Sequence, residues 1–160
     1  MSIFTIGYEG INTETFLTLL RRDQIETIVD VRELPLSRKA GFSKSALRDT
    51  LNLHGFDYLH VPELGCPKPI RHQYRLDRNW SRYTEGFLDY LAHQNDVIAE
   101  LSAMAATTTC ALLCFEADYR YCHRSMVADA MHEVSGMKVR HLNEYALRKG
   151  PVDSHQLALA

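Results

Sequence analysis

Side chains able to do chemistry crowd one short stretch of the sequence, between positions 114 and 125. These side chains can act as nucleophile, proton carrier, metal ligand or anion holder, and they are Cys114, Glu116, Cys122, His123 and Arg124. The stretch joins an apolar segment to an amphipathic one, so a strand is predicted to end and a helix to begin there. Since a helix N-terminus favours negative charge, Arg124 and Ser125 are candidates for holding a phosphate or carboxylate.

Two readings of this stretch depend on its cysteines. In one, Cys114 is a nucleophile in a loop that cradles phosphate together with Arg120, although the glycines that such a loop needs are missing. In the other, the thiols bind a soft metal. Its ligands would be Cys114, Cys122 and His123, joined by Cys66 or His60. The adjacency of Cys122 and His123 and the lack of a Cys-x-x-Cys pair count against the metal.

The leading reading is acid–base chemistry on an anionic ligand. Glu116 and His123 transfer protons, arginines hold the ligand, and Cys114 and Cys122 support the site or are redox-active. These four residues form the predicted catalytic set, and no residue is assigned to a metal. The composition indicates no particular cofactor.

A second polar group follows the predicted strand that ends at Asp30. Asp30 either pairs with a nearby arginine or orients it towards a ligand. Arginine is well suited to bidentate recognition of planar anions, and two arginines and a lysine follow Asp30 closely. The predicted substrate-binding residues are Tyr8, Glu9, Asp30, Arg32, Ser37, Arg38, Lys44, Arg124 and Ser125.

The elements that must position these groups alternate between strand and helix. Apolar and β-branched runs predict strands at 3–6, 25–31, 56–61, 110–115 and 138–142. Helical periodicity predicts helices at 13–22 after Asn12, from Ser43 to a stop at Gly55 with Leu53 on the apolar face, at 83–104 with a possible break near Asn95, and at 125–134. The roughly 15 residues after the breaker cluster Gly65-Cys66-Pro67 are expected to be irregular.

This order predicts an α/β fold, a three-layer sandwich in which a mainly parallel sheet of about five strands carries helices on both faces, as in Rossmann-like folds. Residues 1–147 are expected to form one domain and residues 148–160 a loosely held tail. In such sheets, ligands bind beyond the carboxyl ends of the strands, which is where the polar groups described above fall.

Composition narrows the function classes only partly. The net charge of -2 gives no global attraction for nucleic acid, so a nucleic-acid partner needs a local patch such as the aromatic and basic stretch from Arg71 to Arg82. No apolar run is long enough for a membrane span, so no membrane partner is expected. Four cysteines without an export signal predict free thiols and a cytoplasmic protein, and the sequence does not indicate an oligomeric state.

Several ordered motifs resemble the family catalogued as domain of unknown function 488. They are Thr5-Ile6-Gly7-Tyr8-Glu9-Gly10, Val29-Asp30-Val31-Arg32, Pro35-x-Ser37-Arg38, Gly41-Phe42-Ser43-Lys44, Leu112-Leu113-Cys114-x-Glu116 and Cys122-His123-Arg124-Ser125. The resemblance implies a compact α/β domain of enzyme-like build, without assigning a reaction. Gly65-Cys66 departs from the family pattern, which has a second glycine.

These observations predict an enzyme that acts on a phosphorylated or otherwise anionic substrate, such as a nucleotide or a nucleic-acid end. Two alternatives stay open at this point. One is a non-catalytic module that binds nucleic acid or a ligand in the same anion-binding pocket, and the other is a thiol redox or metal-binding protein.

Overall fold

A single sheet organises the protein, whose computed structural model describes residues 1–143 and the backbone of residues 152–153. Within these residues the strands are β1 (Ser2–Gly7), β2 (Thr27–Asp30), β3 (Asp57–His60), β4 (Cys110–Cys114), β5 (Lys138–Leu142) and β6 (Val152–Asp153). They lie in the order β3-β2-β4-β1-β5-β6. The first five strands are parallel, and β6 pairs antiparallel with β5.

Helices cover both faces of this sheet. They are α1 (Thr13–Arg22), α2 (Lys44–Leu53), α3 (Lys68–Asp77), α4 (Trp80–Leu91), α5 (Asn95–Ala105) and α6 (His123–Ser135). Ile6 of β1 belongs to one core with Phe16 of α1 and Leu47 of α2. Ile3, on the opposite face of β1, belongs to a second core with residues of α4, α5 and α6, including Phe87 and Val127. The predicted three-layer α/β fold is therefore confirmed.

The bounds predicted for α1 and β5 agree with the structure, because both follow from residues at or near the ends of these elements. Asn12 caps α1 by accepting a hydrogen bond from the Thr15 N–H at 2.8 Å. The stretch at 83–104 was expected to form one helix or two with a break near Asn95, and it forms two, α4 and α5, separated by residues 92–94. Leu53, expected on the apolar face of α2, is instead 82% exposed. The helix expected to start at residue 125 begins at His123.

The expectation of irregular structure after Pro67 was wrong, because those residues form α3. Pro67 is the N-cap of this helix and Pro69 lies in its first turn. Proline is well tolerated there, since the first backbone N–H groups of a helix have no partner within it. The breaker cluster therefore starts a helix instead of interrupting one.

The strand order creates a crevice at the carboxyl ends of β1 and β4. These two strands are neighbours, but α1 follows β1 on one face of the sheet and α6 follows β4 on the other. The segments that follow β1 and β4 stay paired just beyond the strands, because the Glu9 N–H donates to the Phe115 carbonyl at 2.8 Å. A divergence of this kind is where open α/β sheets bind ligands.

The predicted tail, residues 148–160, lies outside the described residues apart from the short strand β6. No helix among the described residues has the length and apolar character needed to cross a membrane.

Candidate functional site

A cavity of about 700 Å³ lies at the carboxyl edge of the sheet. The segments after β1, β2 and β4 line it, together with the Cys66 loop, α3 and the start of α4. Seven of the predicted site residues reach its wall, namely Tyr8, Arg32, Ser37, Arg38, Cys114, Glu116 and His123. Its volume is typical of a pocket for a small molecule.

Arg32 is held in place by the protein itself. It forms a bidentate ion pair with Asp30, with Nε to Oδ1 at 2.8 Å and Nη2 to Oδ2 at 2.7 Å. Its Nη1 donates to the Tyr8 hydroxyl at 3.1 Å and to the Phe42 carbonyl at 2.6 Å. Asp30 is fully buried and also accepts a hydrogen bond from the Tyr58 hydroxyl. Although burial opposes its charge, the pair with Asp30 raises the pKa of Arg32, so Arg32 brings a fixed positive charge to the cavity wall.

Arg124 lies away from the cavity wall, fully buried at the start of α6. Its Nη1 donates to the Glu116 carbonyl, its Nη2 to the Ala117 carbonyl at 3.4 Å and its Nε to the Thr5 hydroxyl at 3.2 Å. The guanidinium therefore fastens the loop after β4 to β1. In this arrangement Arg124 shapes the loop that carries Glu116, and its donors are directed at the protein.

The floor of the cavity contains a compact group that we call the thiol cluster, made of Cys114, Cys122 and His123. One ligand atom from each residue lies within 4.8 Å of the other two. His123 Nδ1 is 3.7 Å from Cys114 Sγ and 4.0 Å from Cys122 Sγ, while its Nε2 is 2.6 Å from the Val31 carbonyl oxygen. Glu116 Oε2 lies 3.4 Å from Cys114 Sγ, at the cavity side of the cluster.

The groups of this floor influence one another electrostatically. Burial, together with the nearby Cys122 thiolate, raises the pKa of Glu116 to about 7. Burial opposes ionisation of Cys122, but the Cys114 thiol and the positive charges of Arg124 and His123 hold the pKa of Cys122 well below its usual value. The hydrogen bond to Cys122, with burial, raises the pKa of Cys114. The positive charges nearby therefore favour one negative charge in this pair of thiols.

Neither Cys66 nor His60 belongs to the thiol cluster. Burial raises the pKa of Cys66 to about 12, so this side chain remains a neutral thiol in the cavity wall. His60 Nε2 is 2.8 Å from the Arg32 carbonyl oxygen, which places His60 in the support of the loop after β2.

Four predicted site residues that do not reach the cavity wall have contacts of their own. The exposed Glu9 accepts a hydrogen bond from the Ala117 N–H at 3.0 Å. Lys44 is exposed at the start of α2, and its N–H donates to the Pro35 carbonyl. Ser125 donates to the Cys122 carbonyl at 2.8 Å, and Asp30 holds Arg32. Glu9, Asp30 and Ser125 thus support the loops of the site.

The stretch from Arg71 to Arg82, expected from the sequence only as a possible nucleic-acid contact and not among the predicted site residues, contributes cations to the cavity. Arg71, Arg75 and Arg78 all line it. Arg71 and Arg75 are four residues apart on α3 and therefore share one face of this helix, and Arg78 follows as its left-handed C-cap. Lys39 was also missed, and its Nζ donates to the Tyr8 carbonyl at 3.1 Å.

Gly7 permits the close approach between the end of β1 and the loop after β4. A Cβ at this position would meet the Glu116 carbonyl oxygen at 1.8 Å and the Glu116 carbonyl carbon at 2.6 Å. We expect Gly7→Ala to lower the free energy of unfolding by about 1–3 kcal/mol, because the backbone of the loop must move. Urea denaturation measures this change.

Gly86→Ala is the matched control, because a Cβ at Gly86 in α4 would make only ordinary contacts with Ile70, the nearest at 3.6 Å. We expect this variant to be neutral or slightly stabilised, since alanine favours helix more than glycine does. An equal loss of stability in both variants would contradict the role assigned to Gly7.

Comparison with known proteins identifies a family without assigning an activity. No match to the chain was found among curated proteins or among solved structures. A model of the family described as Domain of unknown function DUF488 matches residues 12–131, which is well over half of the 160-residue chain and includes the loops after β2 and β4. The chain therefore belongs to the DUF488 family.

Proposed function

We propose that the protein is an enzyme that acts on a phosphorylated substrate, a nucleotide that is either free or at the end of a nucleic-acid strand. The observation that carries this proposal is the lining of the cavity. Six cationic side chains and only two carboxylates face it, in a chain whose net charge is -2. Such a concentration of positive charge at a cleft attracts anions.

Four of these cations, Arg38, Lys39, Arg75 and Arg78, form no ion pair with a described residue. Lys39 donates a hydrogen bond to the Tyr8 carbonyl, and the guanidinium of Arg78 lies 5.7 Å from the centre of the Tyr74 ring. Arg32 is paired with Asp30, and Arg71 is paired with Glu33 at 2.9 Å. Arg38 and Arg75 are exposed and belong to different segments that line the same cavity. We therefore assign phosphate binding chiefly to Arg38 and Arg75.

Aromatic side chains along the same wall can stack against a flat ring such as a nucleotide base. Trp80 packs edge to face with both Tyr74 and Tyr121, at centroid distances of 5.6 Å. Tyr121 is 52% exposed and Phe115 is 42% exposed, and both line the cavity. Bases stack on such side chains irrespective of their sequence. The combination of arginines with exposed rings favours a nucleotide over a phosphorylated sugar.

Glu116 is the candidate for proton transfer in this enzyme. Its carboxyl group is the acidic side chain at the cavity floor, beside Cys114. His123, the other expected acid–base residue, directs Nε2 at the Val31 carbonyl and Nδ1 at the two sulfurs. Proton exchange with the substrate is therefore assigned to Glu116, and the ring nitrogens of His123 are left to the Val31 carbonyl and the two sulfurs.

Ligand binding tests the first half of the proposal. Thermal unfolding is measured with a nucleoside monophosphate, the corresponding nucleoside, inorganic phosphate, and a short single strand with or without a terminal phosphate. We expect the phosphorylated nucleotide or strand end to raise the melting temperature and its unphosphorylated counterpart to have little effect. Equal stabilisation by both forms, or by neither, would contradict the anionic substrate.

Substitution of Arg38 and Arg75 tests their role. The Arg38→Ala/Arg75→Ala variant is expected to bind the phosphorylated ligand at least about tenfold more weakly, because each charge-assisted hydrogen bond is worth about 1.5–3 kcal/mol. Arg48→Ala is the control, since Arg48 lies on α2 outside the cavity lining and pairs with Asp49 at 3.3 Å. Isothermal titration calorimetry on all three proteins measures the difference, and a similar loss in the control would refute the assignment.

Turnover distinguishes an enzyme from the alternative, a binding module. The bound nucleotide is incubated with the protein and analysed by mass spectrometry and phosphorus NMR. We expect product with the wild type and none with Glu116→Gln, whereas binding of the nucleotide is retained. Recovery of unchanged nucleotide from the wild type would favour a non-catalytic module.

A further inference from the structure

The thiol cluster has the dimensions of a metal site. In tetrahedral zinc sites the Zn–S distance is about 2.3 Å and the Zn–N distance about 2.0–2.1 Å, which puts neighbouring ligand atoms roughly 3.5–3.8 Å apart. The two measured distances from His123 Nδ1, 3.7 Å to Cys114 Sγ and 4.0 Å to Cys122 Sγ, lie at or near these values. The two sulfurs lie within 4.8 Å of each other, so the three atoms need to approach by about 1 Å at most to surround one ion.

The orientation of His123 supports the same conclusion independently. The Val31 carbonyl oxygen, 2.6 Å from His123 Nε2, can only accept a hydrogen bond, so Nε2 carries a proton. When a metal ion displaces the proton of Nδ1, this nitrogen presents its lone pair on the side of the two sulfurs. Histidines that bind metals usually donate their other N–H to a carbonyl or carboxylate in this way, which fixes the ring for coordination.

The cluster is distinct from ordinary cysteine packing in this protein. Cys110, at the other end of β4, is equally buried, but its Sγ donates to the Thr108 carbonyl at 3.3 Å. No other group of three histidine, cysteine or acidic side chains in the described part of the chain was found with ligand-like spacing. The thiol cluster thus combines soft ligands, spacing and an oriented histidine at one place.

We propose that Cys114 Sγ, Cys122 Sγ and His123 Nδ1 bind a zinc ion whose fourth position faces the cavity. Two thiolates and one imidazole are ligands that zinc prefers, and three protein ligands with one open position are typical of catalytic zinc sites. Cys114 and His123 both line the cavity, so a water or a substrate oxygen can reach that position. The Glu116 carboxyl group lies beside it. Binding of the ion displaces the protons of the cluster.

The chemical role of this zinc rests on the proposed function, because only a substrate in the cavity brings a reacting oxygen to the ion. Zinc binding itself does not rest on it. The ligands of the ion come from β4 and α6, whereas the phosphate-binding arginines come from α3 and the loop after β2. Each property can therefore fail without the other.

The test uses the full chain, stripped with a chelator and titrated with cobalt(II). We expect one equivalent to bind, with a thiolate-to-cobalt charge-transfer band and the intense visible bands of tetrahedral cobalt, and we expect zinc to displace it. X-ray absorption of the zinc-loaded wild type should then show two sulfur neighbours and no more. Cobalt spectra without thiolate charge transfer, or a zinc shell of nitrogen and oxygen alone, would overturn the proposal.

Matched variants locate the ion. Cys122→Ser and Cys114→Ser are each expected to weaken zinc binding at least tenfold, measured by competition with a coloured chelator, whereas Cys110→Ser retains wild-type affinity. Circular dichroism confirms that each variant is folded, and the X-ray absorption result on the wild type stands even if one is not. An equal loss in Cys110→Ser would refute the assignment. Nucleotide binding by the metal-free protein, measured in parallel, separates failure of the zinc site from failure of the phosphate site.

Discussion

Replacing Arg32 by methionine is expected to lower the free energy of unfolding by about 3–5 kcal/mol, the usual cost of leaving one member of a buried ion pair without its partner. Asp30 is fully buried and Arg32 is only 6% exposed, so water cannot replace the lost guanidinium. The remaining hydrogen bond from the Tyr58 hydroxyl does not neutralise the carboxylate. Urea denaturation of the wild type and the variant measures the change.

A double variant separates the effect of the unpaired charge from the effect of lost packing. In the double variant Asp30→Asn/Arg32→Met neither charge remains, so part of the lost stability should return. Arg71→Met is the control for a less buried pair in the same cavity. The side chains of Arg71 and Glu33 are 30% and 37% exposed, and loss of their pair is expected to cost at most about 1 kcal/mol. Equal costs for Arg32→Met and Arg71→Met would contradict this account.

The pairing of Asp30 with Arg32 also shows where sequence reasoning stops. The motif Asp30-Val31-Arg32 was compatible with an arginine that pairs locally and with one that points at a ligand. The choice depends on how deeply Asp30 is buried, because an uncompensated buried carboxylate is too costly to leave unpaired. Burial in turn depends on β2 lying between β3 and β4, a strand order that the sequence does not contain.

Elements defined by nearest neighbours along the chain were predicted well. The helix α1 has a capping asparagine and a regular apolar face, and β5 has the bounds expected from its residues. The helix α3 was missed because its prolines, read as breakers, stand at the one end of a helix where they are tolerated. Arg71 and Arg75 of this helix, with Arg78 at its C-cap, were left out of the predicted site residues for the same reason.

The thiol cluster shows a second limit of prediction from sequence, which is the direction in which adjacent side chains point. Adjacency of Cys122 and His123 counted against a metal, because neighbouring side chains on a regular element point in different directions. The chain changes conformation between them: Cys122 has extended backbone angles, φ −140° and ψ 138°, while His123 is the first residue of α6. Both side chains can therefore approach Cys114. Such a junction is visible only in three dimensions.

Arg124 was expected to hold an anion, on the argument that arginine at a helix N-terminus meets negative ligands. The structure gives it other acceptors, the carbonyl groups of Glu116 and Ala117 and the Thr5 hydroxyl. We expect Arg124→Met to lower the free energy of unfolding by about 3–5 kcal/mol, because the buried Thr5 hydroxyl and two partly buried carbonyl groups lose their donor, at about 1–3 kcal/mol for each acceptor that water does not reach. Methionine fills similar space, so most of the effect should come from the hydrogen bonds.

Arg120→Met is the matched control for Arg124→Met, since Arg120 lies on the same loop. Its side chain is 68% exposed and pairs with Asp118 at 2.9 Å, an interaction expected to contribute at most about 1 kcal/mol. If Arg124→Met lowered the free energy of unfolding as little as Arg120→Met, the loop would tolerate the loss of Arg124, and the fastening role would be wrong. If the role is right, Arg124→Met releases the backbone of Glu116 while every phosphate-binding arginine remains. Nucleotide binding should then survive, under conditions where the variant is folded, while turnover falls with the misplaced carboxyl group.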